Sequence, residues 1–167
     1  MVVGQIYMKL KDNSLKIRIN AVLTFRDARS GRITDQIKVH NLAVNTGLYS
    51  IASRLSGVDI PENVKSTITY CAVGTGTDAP AAGDTELQTE NTRKQVSVRS
   101  VSDAVAKFRT YFNTSDANAV LKEAGLFGDD ATSTPDSGTL FCRLAINKTK
   151  TDAETLTIDW EVSVSAV

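Results

Sequence analysis

Few residues of this 167-residue chain are of the types that carry out nucleophilic, acid-base or metal chemistry, and they lie far apart in sequence. His40 is the single histidine, so any histidine triad or zinc site has to include it. No second histidine or cysteine stands near it, and its neighbours Val39 and Asn41 place it at the end of an extended segment. We therefore interpret His40 as a structural residue.

The two cysteines, Cys71 and Cys142, favour a structural role as well. Each stands in an apolar segment of strand-like composition, and neither has a second thiol or a histidine close by in sequence. A chain of this length buries enough surface to fold without covalent cross-links. The pattern predicts buried thiols in a protein made in a reducing cytoplasm.

Two loops share part of the composition of ligand-binding motifs. The glycines of residues 74–76 lack the following Lys-Ser or Lys-Thr and the third glycine of a phosphate loop, which favours a turn. Asp129, Asp130 and Asp136 offer carboxylates, but their spacing matches no calcium-binding loop. No nucleophile elbow or H-E-x-x-H motif occurs. The two carboxylates of a glycoside hydrolase come together in the fold and not along the chain, so the sequence alone does not test for such a pair. We expect a non-enzymatic protein that holds no metal or cofactor.

A small basic stripe is the remaining candidate for a functional surface. Lys107 and Arg109 alternate with Phe108 and Thr110, so the two basic side chains share one outward face of a predicted strand. The stripe is interpreted either as a solvated strand face or as an interface with a neighbouring subunit.

Composition narrows the classes of function. Nineteen basic and nineteen acidic residues give a net charge of zero. Proteins that bind the phosphate backbone of nucleic acids usually carry an excess of basic residues. No apolar run approaches the roughly 20 residues of a membrane-spanning helix, and the first residues lack the apolar centre of a signal peptide. We expect one globular domain that binds neither nucleic acid nor membrane.

Alternation of apolar and polar residues predicts that the elements positioning these side chains are mostly strands. It is clearest near the end of the chain, where Leu156, Ile158 and Trp160 share one face and threonine, aspartate and serine share the other. The predicted strands cover residues 14–25, 32–40, 66–73, 94–101, 104–112, 119–127, 139–146 and 154–167.

One segment has helical spacing instead. Leu48, Ile51 and Leu55 lie three and four residues apart, Asn45 or Thr46 can cap the start, and a glycine at position 57 can end it. A single helical turn is also predicted in residues 84–90. The fold predicted is an all-β, jelly-roll-like β-sandwich over residues 14–167 with one short helix near residues 46–56.

A series of short motifs gives the sequence a family resemblance. In chain order they are ITYCAVGTGTDAP (68–80), DTEL (84–87), ENTRK (90–94), LKEAGLFG (121–128), GTLFCR (138–143), KTK (148–150) and ETLTIDW (154–160). From residue 70 to residue 167 this order resembles small structural proteins of tailed bacteriophages, and it is similar to the N-terminal domain of the phage tail-collar fibre family. The resemblance implies a non-catalytic protein that attaches a fibre to a baseplate.

The resemblance is compatible with two locations in a phage particle, the tail and the capsid. This chain places its own hairpin and helix, residues 14–57, in front of the similar region, so it is interpreted either as a tail component or as a capsid decoration protein. Both are made in the host cytoplasm and become part of the virion. Both assemble with copies of themselves as trimers or rings, and both bind other virion proteins.

A carbohydrate-binding module is the alternative from another class. That function requires exposed aromatic residues on a concave face. The candidates are mostly predicted in core-like or helical places; they are Tyr7, Tyr49, Tyr70, Tyr111 and Trp160.

The first thirteen residues form a predicted N-terminal arm. They are more apolar than a free tail, which predicts that the arm docks on a neighbouring subunit or on the particle shell. The candidate interface residues are Val2, Val3, Ile6, Tyr7, Met8 and Leu10 of the arm together with Lys107 and Arg109.

Overall fold

The computed structural model describes residues 15–57, 67–128 and 131–166. Within these ranges the chain forms nine strands and one helix. In order they are β1 (Leu15–Asp27), β2 (Ile33–Ala43), α1 (Asn45–Ser56), β3 (Tyr70–Gly74), β4 (Glu90–Gln95), β5 (Val98–Ser102), β6 (Val105–Phe112), β7 (Val120–Phe127), β8 (Leu140–Thr149) and β9 (Glu154–Ala166). The N-terminal arm, residues 1–13, lies outside the described residues.

The strands form one antiparallel ladder that divides into two sheets. Its order is β4-β3-β7-β8-β2-β1-β9-β6-β5. Strand β2 is the junction, because residues 33–41 pair with β1 whereas Leu42 and Ala43 pair with Arg143 and Cys142 of β8. Sheet A therefore contains β2, β1, β9, β6 and β5, and sheet B contains β4, β3, β7 and β8. The prediction of an all-β sandwich with one short helix is confirmed.

The chain crosses between the sheets a second time, so the predicted single strand over residues 94–101 is wrong. Strand β4 ends in sheet B, and β5 begins three residues later in sheet A. The Val96 N–H donates to the Thr69 carbonyl at 2.8 Å in sheet B, and the Ser97 N–H donates to the Arg109 carbonyl at 2.8 Å in sheet A. Both halves are extended, so their alternation does not reveal that they belong to different sheets.

The core lies between the two sheets and centres on Trp160. Leu156, Ile158 and Trp160 of β9 are fully buried, as the alternation of that strand predicts. Each such side chain stabilises the fold by roughly 1.5–3 kcal/mol. Cys71 and Cys142 lie in the same core and form no disulfide, which confirms the prediction of buried thiols. Burial raises the pKa of Cys71 to about 12, so this thiol stays protonated at neutral pH.

Helix α1 begins and ends close to where the sequence predicts. Gly57 closes it in the left-handed conformation, with φ of 67°. The N-cap is Val44, whose side chain makes no capping hydrogen bond. The hydroxyl of Thr46, a predicted cap, donates instead to the Leu140 carbonyl at 2.6 Å and so attaches the helix to β8.

The helix packs on the sandwich through its small residues. Its buried residues are Gly47, Ser50 and Ser53, whereas Leu48 and Leu55 of the apolar stripe are 41% and 82% exposed. A Cβ atom on Gly47 would overlap the Phe141 carbonyl, so the helix backbone lies almost against β8. Close approach selects the small face of the helix, so Leu48 and Leu55 point outwards, while Ile51 packs against the core partly buried.

We predict that Gly47→Ala destabilises the fold although alanine is the better helix former by about 1 kcal/mol. The added methyl group forces the helix away from β8, and overpacking of this kind costs about 1–3 kcal/mol. Urea denaturation measures the change. Gly83→Ala is the matched control, since its Cβ would meet nothing within 4 Å. Equal stability of the two variants would contradict the close approach.

Candidate functional site

A buried carboxylate holds the loop of residues 75–89 against sheet B. Glu123 on β7 is 1% exposed and accepts hydrogen bonds from the backbone N–H groups of Gly76, Gln88 and Thr89 at 2.8–3.0 Å. A Cβ on Gly74 or Gly76 would collide with the carboxylate. The glycines of residues 74–76 therefore make room for this side chain.

Arg143 completes this polar network from the neighbouring strand β8. Its guanidinium donates to Glu123 at 2.8 Å, to the Asp84 carboxylate at 2.7 Å and to the Asp78 carbonyl at 3.0 Å. Partial burial opposes ionisation of Asp84, but the Ala81 N–H and Arg143 outweigh it and hold its pKa below the ordinary value. The single helical turn predicted in residues 84–90 is wrong, because this segment consists of irregular backbone and bends that lead into β4.

A second buried arginine fastens the loop that leads into β8. Arg93 makes two 2.6 Å hydrogen bonds to Glu90 and donates to the Thr132 and Ser137 carbonyls. Its guanidinium also stacks over Phe127, 4.7 Å from the ring centre. Both arginines direct their hydrogen bonds to carboxylates and carbonyls of the chain's own loops, which assigns these charged residues to loop architecture.

The other sequence candidates for chemistry are dispersed. In the part of the chain that the structure describes, no three His, Cys, Asp or Glu residues lie close enough to hold a metal ion. Asp129 and Asp130 lie outside the described residues, and the Asp136 N–H donates to Glu90 at 3.3 Å. His40 is exposed near the end of β2, with Nδ1 2.6 Å from the Asn20 side-chain oxygen.

Lys107 and Arg109 lie on the solvent side of sheet A, which we call the sheet A face. Each pairs across to β9: Arg109 binds Asp159 through two hydrogen bonds of 2.6 and 3.1 Å, and Lys107 lies 2.9 Å from Glu161. Their predicted outward orientation is confirmed. A contact of these residues with another subunit stays a prediction.

The sheet A face is basic although the whole chain is neutral. The strand registers place six basic and two acidic side chains on it, a net charge of +4. The residues are Lys16, Arg18, Arg26, Lys38, Lys107 and Arg109, with Asp159 and Glu161. Because the two acidic groups already pair with Arg109 and Lys107, the positive potential comes from the β1 and β2 residues.

Tyr111 belongs to the same face, so its predicted core-like position is wrong. The inward residues of β6 are Thr110 and Phe112, which are fully buried, whereas Tyr111 is 50% exposed. The alternation that grouped Lys107 with Arg109 also includes Tyr111, and this signal could have found it. Tyr49 lies on the helix as predicted and is 59% exposed, while Trp160 is buried as predicted.

An apolar groove opens where the two sheets separate at the α1 end of the sandwich. We call it the end groove, and its volume is about 350 Å³. Its apolar lining comes from the helix, the segment before β3, the inner side of sheet A and β8. The principal side chains are Ile51, Ile68, Val101, Phe108, Phe141 and Val164. Val101 is 75% exposed at the edge of this groove.

Comparisons with known proteins give no relative. No protein-family model matches the chain, and no curated protein or solved structure gives a significant match. Within the described residues, no helix has the length and apolar character needed to cross a membrane.

We predict that Glu123→Gln lowers the free energy of unfolding by about 3–5 kcal/mol, because it removes the buried charge that pairs with Arg143 and accepts hydrogen bonds from three backbone N–H groups. Urea denaturation measures the loss. Glu161→Gln removes an exposed ion pair of the same chemical type and is expected to cost less than about 1 kcal/mol. A similar small effect for both variants would show that the loop does not depend on the Glu123 carboxylate.

Proposed function

We propose that this protein is a non-enzymatic structural subunit of a tailed-bacteriophage virion that assembles with its own copies and joins tail, baseplate or fibre components. The motif order of residues 70–167 supports this assignment. A capsid decoration protein is the alternative within the same class. The observation that carries self-assembly is the apolar surface that α1 and the end groove leave exposed.

The exposed apolar side chains of this surface are neighbours, not single residues scattered over the protein. Leu48 and Leu55 stand two helical turns apart on α1, and Ile51 between them lines the end groove. Val101 and Val164 continue the exposed apolar surface across the groove. Contiguous apolar surface of this kind is typical of protein interfaces, since leaving it in water costs free energy.

The first described residue of β1 lies at the same end of the sandwich as the end groove. Strand β1 begins at Leu15, which pairs with Ala166, and Val164 two residues earlier lines the end groove. Thirteen extended residues span about 45 Å, enough to reach a neighbouring subunit. We propose that the arm of one copy occupies the end groove of the next, with its apolar side chains against Val101 and Phe108.

Rigid loops suit this role. The networks of Glu123 with Arg143, and of Arg93 with Glu90, fix two loops by buried, charge-assisted hydrogen bonds. A subunit held in this way presents one defined surface to its partners, so less conformational freedom is lost on assembly.

The groove is tested by Val101→Asp, which places a charge in the proposed contact while disturbing little of the core. We expect the wild-type protein to run as an oligomer in size-exclusion chromatography with light scattering, and the variant as a monomer. Val98→Asp is the matched control on the same strand, because Val98 faces the opposite side. A monomeric wild type at micromolar concentration, or an oligomeric Val101→Asp, would overturn the groove contact.

Deletion of residues 1–11 tests the arm. The shortened protein is expected to stay folded, with a thermal transition close to that of the wild type, but to lose the oligomer and its incorporation into particles. A synthetic peptide of residues 1–13 should then bind the shortened protein and not its Val101→Asp variant. Loss of folding on deletion would show that the arm belongs to the subunit's own core.

The virion assignment is measured separately. Mass spectrometry of purified tailed particles, with heads and tails separated, should detect this chain in the tail fraction. Detection in the head fraction supports the decoration alternative. Absence from particles whose other structural proteins are detected would refute both.

A further inference from the structure

We propose that the sheet A face binds an acidic oligosaccharide, with sugar rings over Tyr111 and the Arg109–Asp159 pair and acidic groups on the basic side chains of β1 and β2. This proposal uses a different surface from the end groove and does not depend on the virion assignment. Its support comes from the shape of the face, its hydrogen-bonding groups and the position of its charges.

The face holds two adjoining depressions of about 240 and 440 Å³. They adjoin at Thr24 and the Arg109–Asp159 pair, which line both, and we call the two together the trough. Tyr111, Thr157 and Thr24 cross the smaller depression in register on three neighbouring strands, a width of about 10 Å at the usual strand spacing. The four residue steps from Lys107 to Tyr111 along β6 add about 13 Å of length. A trough of these dimensions accommodates more than one sugar ring.

The trough offers the mixture of groups that a sugar ring needs. Tyr111 is 50% exposed and provides a flat apolar surface, and Val22 and Val98 line the larger depression. Arg109 uses Nε and Nη2 for Asp159, which leaves Nη1 as a donor. Asp159 and Glu161 retain acceptor lone pairs beside it. Sugar hydroxyls both donate and accept, so they are complementary to such paired groups.

The charges select an acidic sugar. Arg26 lines the smaller depression, and its described hydrogen bond is to the Gly31 carbonyl. Lys38 is exposed and lies in register with Val22 beside the larger depression. Beside the trough, the four basic side chains Arg26, Lys38, Lys107 and Arg109 outnumber the two acidic ones, Asp159 and Glu161, by two, and this positive excess attracts anionic ligands. Asp159 and Glu161 cancel the charge of Arg109 and Lys107 in the middle of the trough. Tyr111 offers one exposed aromatic ring, whereas single-stranded nucleic acids stack successive bases on several, which favours an acidic saccharide over a nucleic acid.

The test is isothermal titration calorimetry with ligands matched in length. Hexagalacturonate carries a carboxylate on every ring, and maltohexaose carries none. A hexasulfated heparin fragment and a single-stranded oligonucleotide represent the other anion classes. We expect at least one of the two acidic saccharides to bind at least tenfold more tightly than maltohexaose, with affinity that falls as salt is raised. The oligonucleotide is expected to bind more weakly than that saccharide.

Variants decide whether the trough is the site. Tyr111→Ala should weaken saccharide binding at least tenfold and Lys38→Gln several-fold. Tyr49→Ala is the control, because Tyr49 is a tyrosine of α1 that is also at least half exposed, and it should leave binding unchanged. Circular dichroism checks that each variant is folded. Failure of both acidic saccharides to bind, binding that Tyr111→Ala leaves intact, or preference for the oligonucleotide would overturn the proposal.

Discussion

The ladder of backbone hydrogen bonds that passes from one sheet to the other is the interaction on which the rest of the structure depends. At one edge β2 leaves sheet A for sheet B after Asn41, and at the other edge the chain changes sheet between Val96 and Ser97. Both crossings keep their backbone groups paired, which a buried segment requires. The two layers are therefore joined by continuous chain at both edges, and Trp160 and its neighbours fill the space between them.

Charged residues are divided between two uses. Glu123, Arg143, Arg93 and Glu90 are withdrawn from water on the sheet B side, and their cost of burial is offset by bidentate pairing and backbone N–H groups. On sheet A the basic side chains stay in water, where their field extends to a ligand. A net charge of zero for the chain conceals this division, because it sums buried pairs and an exposed basic face.

The end of the sandwich near α1 is organised by backbone proximity. Since Gly47 brings the helix against Phe141, the leucines of α1 cannot turn inwards, and apolar surface remains beside the end groove. The start of β1 lies at the same end. Assembly and ligand recognition are thus proposed for separate surfaces, the end groove and the sheet A face, and this separation lets each be altered without the other.

Local pattern in the sequence determined much of the secondary structure. The alternation of β9, the glycine that ends α1, and the apolar settings of Cys71 and Cys142 depend on residues near in the chain, and each prediction made from them holds. The outward position of Lys107 and Arg109 follows from the same alternation.

Tertiary structure decided how these elements meet. Alternation reports that a strand has two faces, but it does not say which strand lies beside it, so only the fold separates β4 from β5 and joins Arg143 to Asp84 across 59 residues. The buried side of α1 was likewise set by how closely its backbone approaches β8. Thr110 and Phe112 are buried on the inner side of β6, so Tyr111 between them faces outwards. Side-chain polarity alone favours the opposite arrangement, since tyrosine is more often buried than threonine.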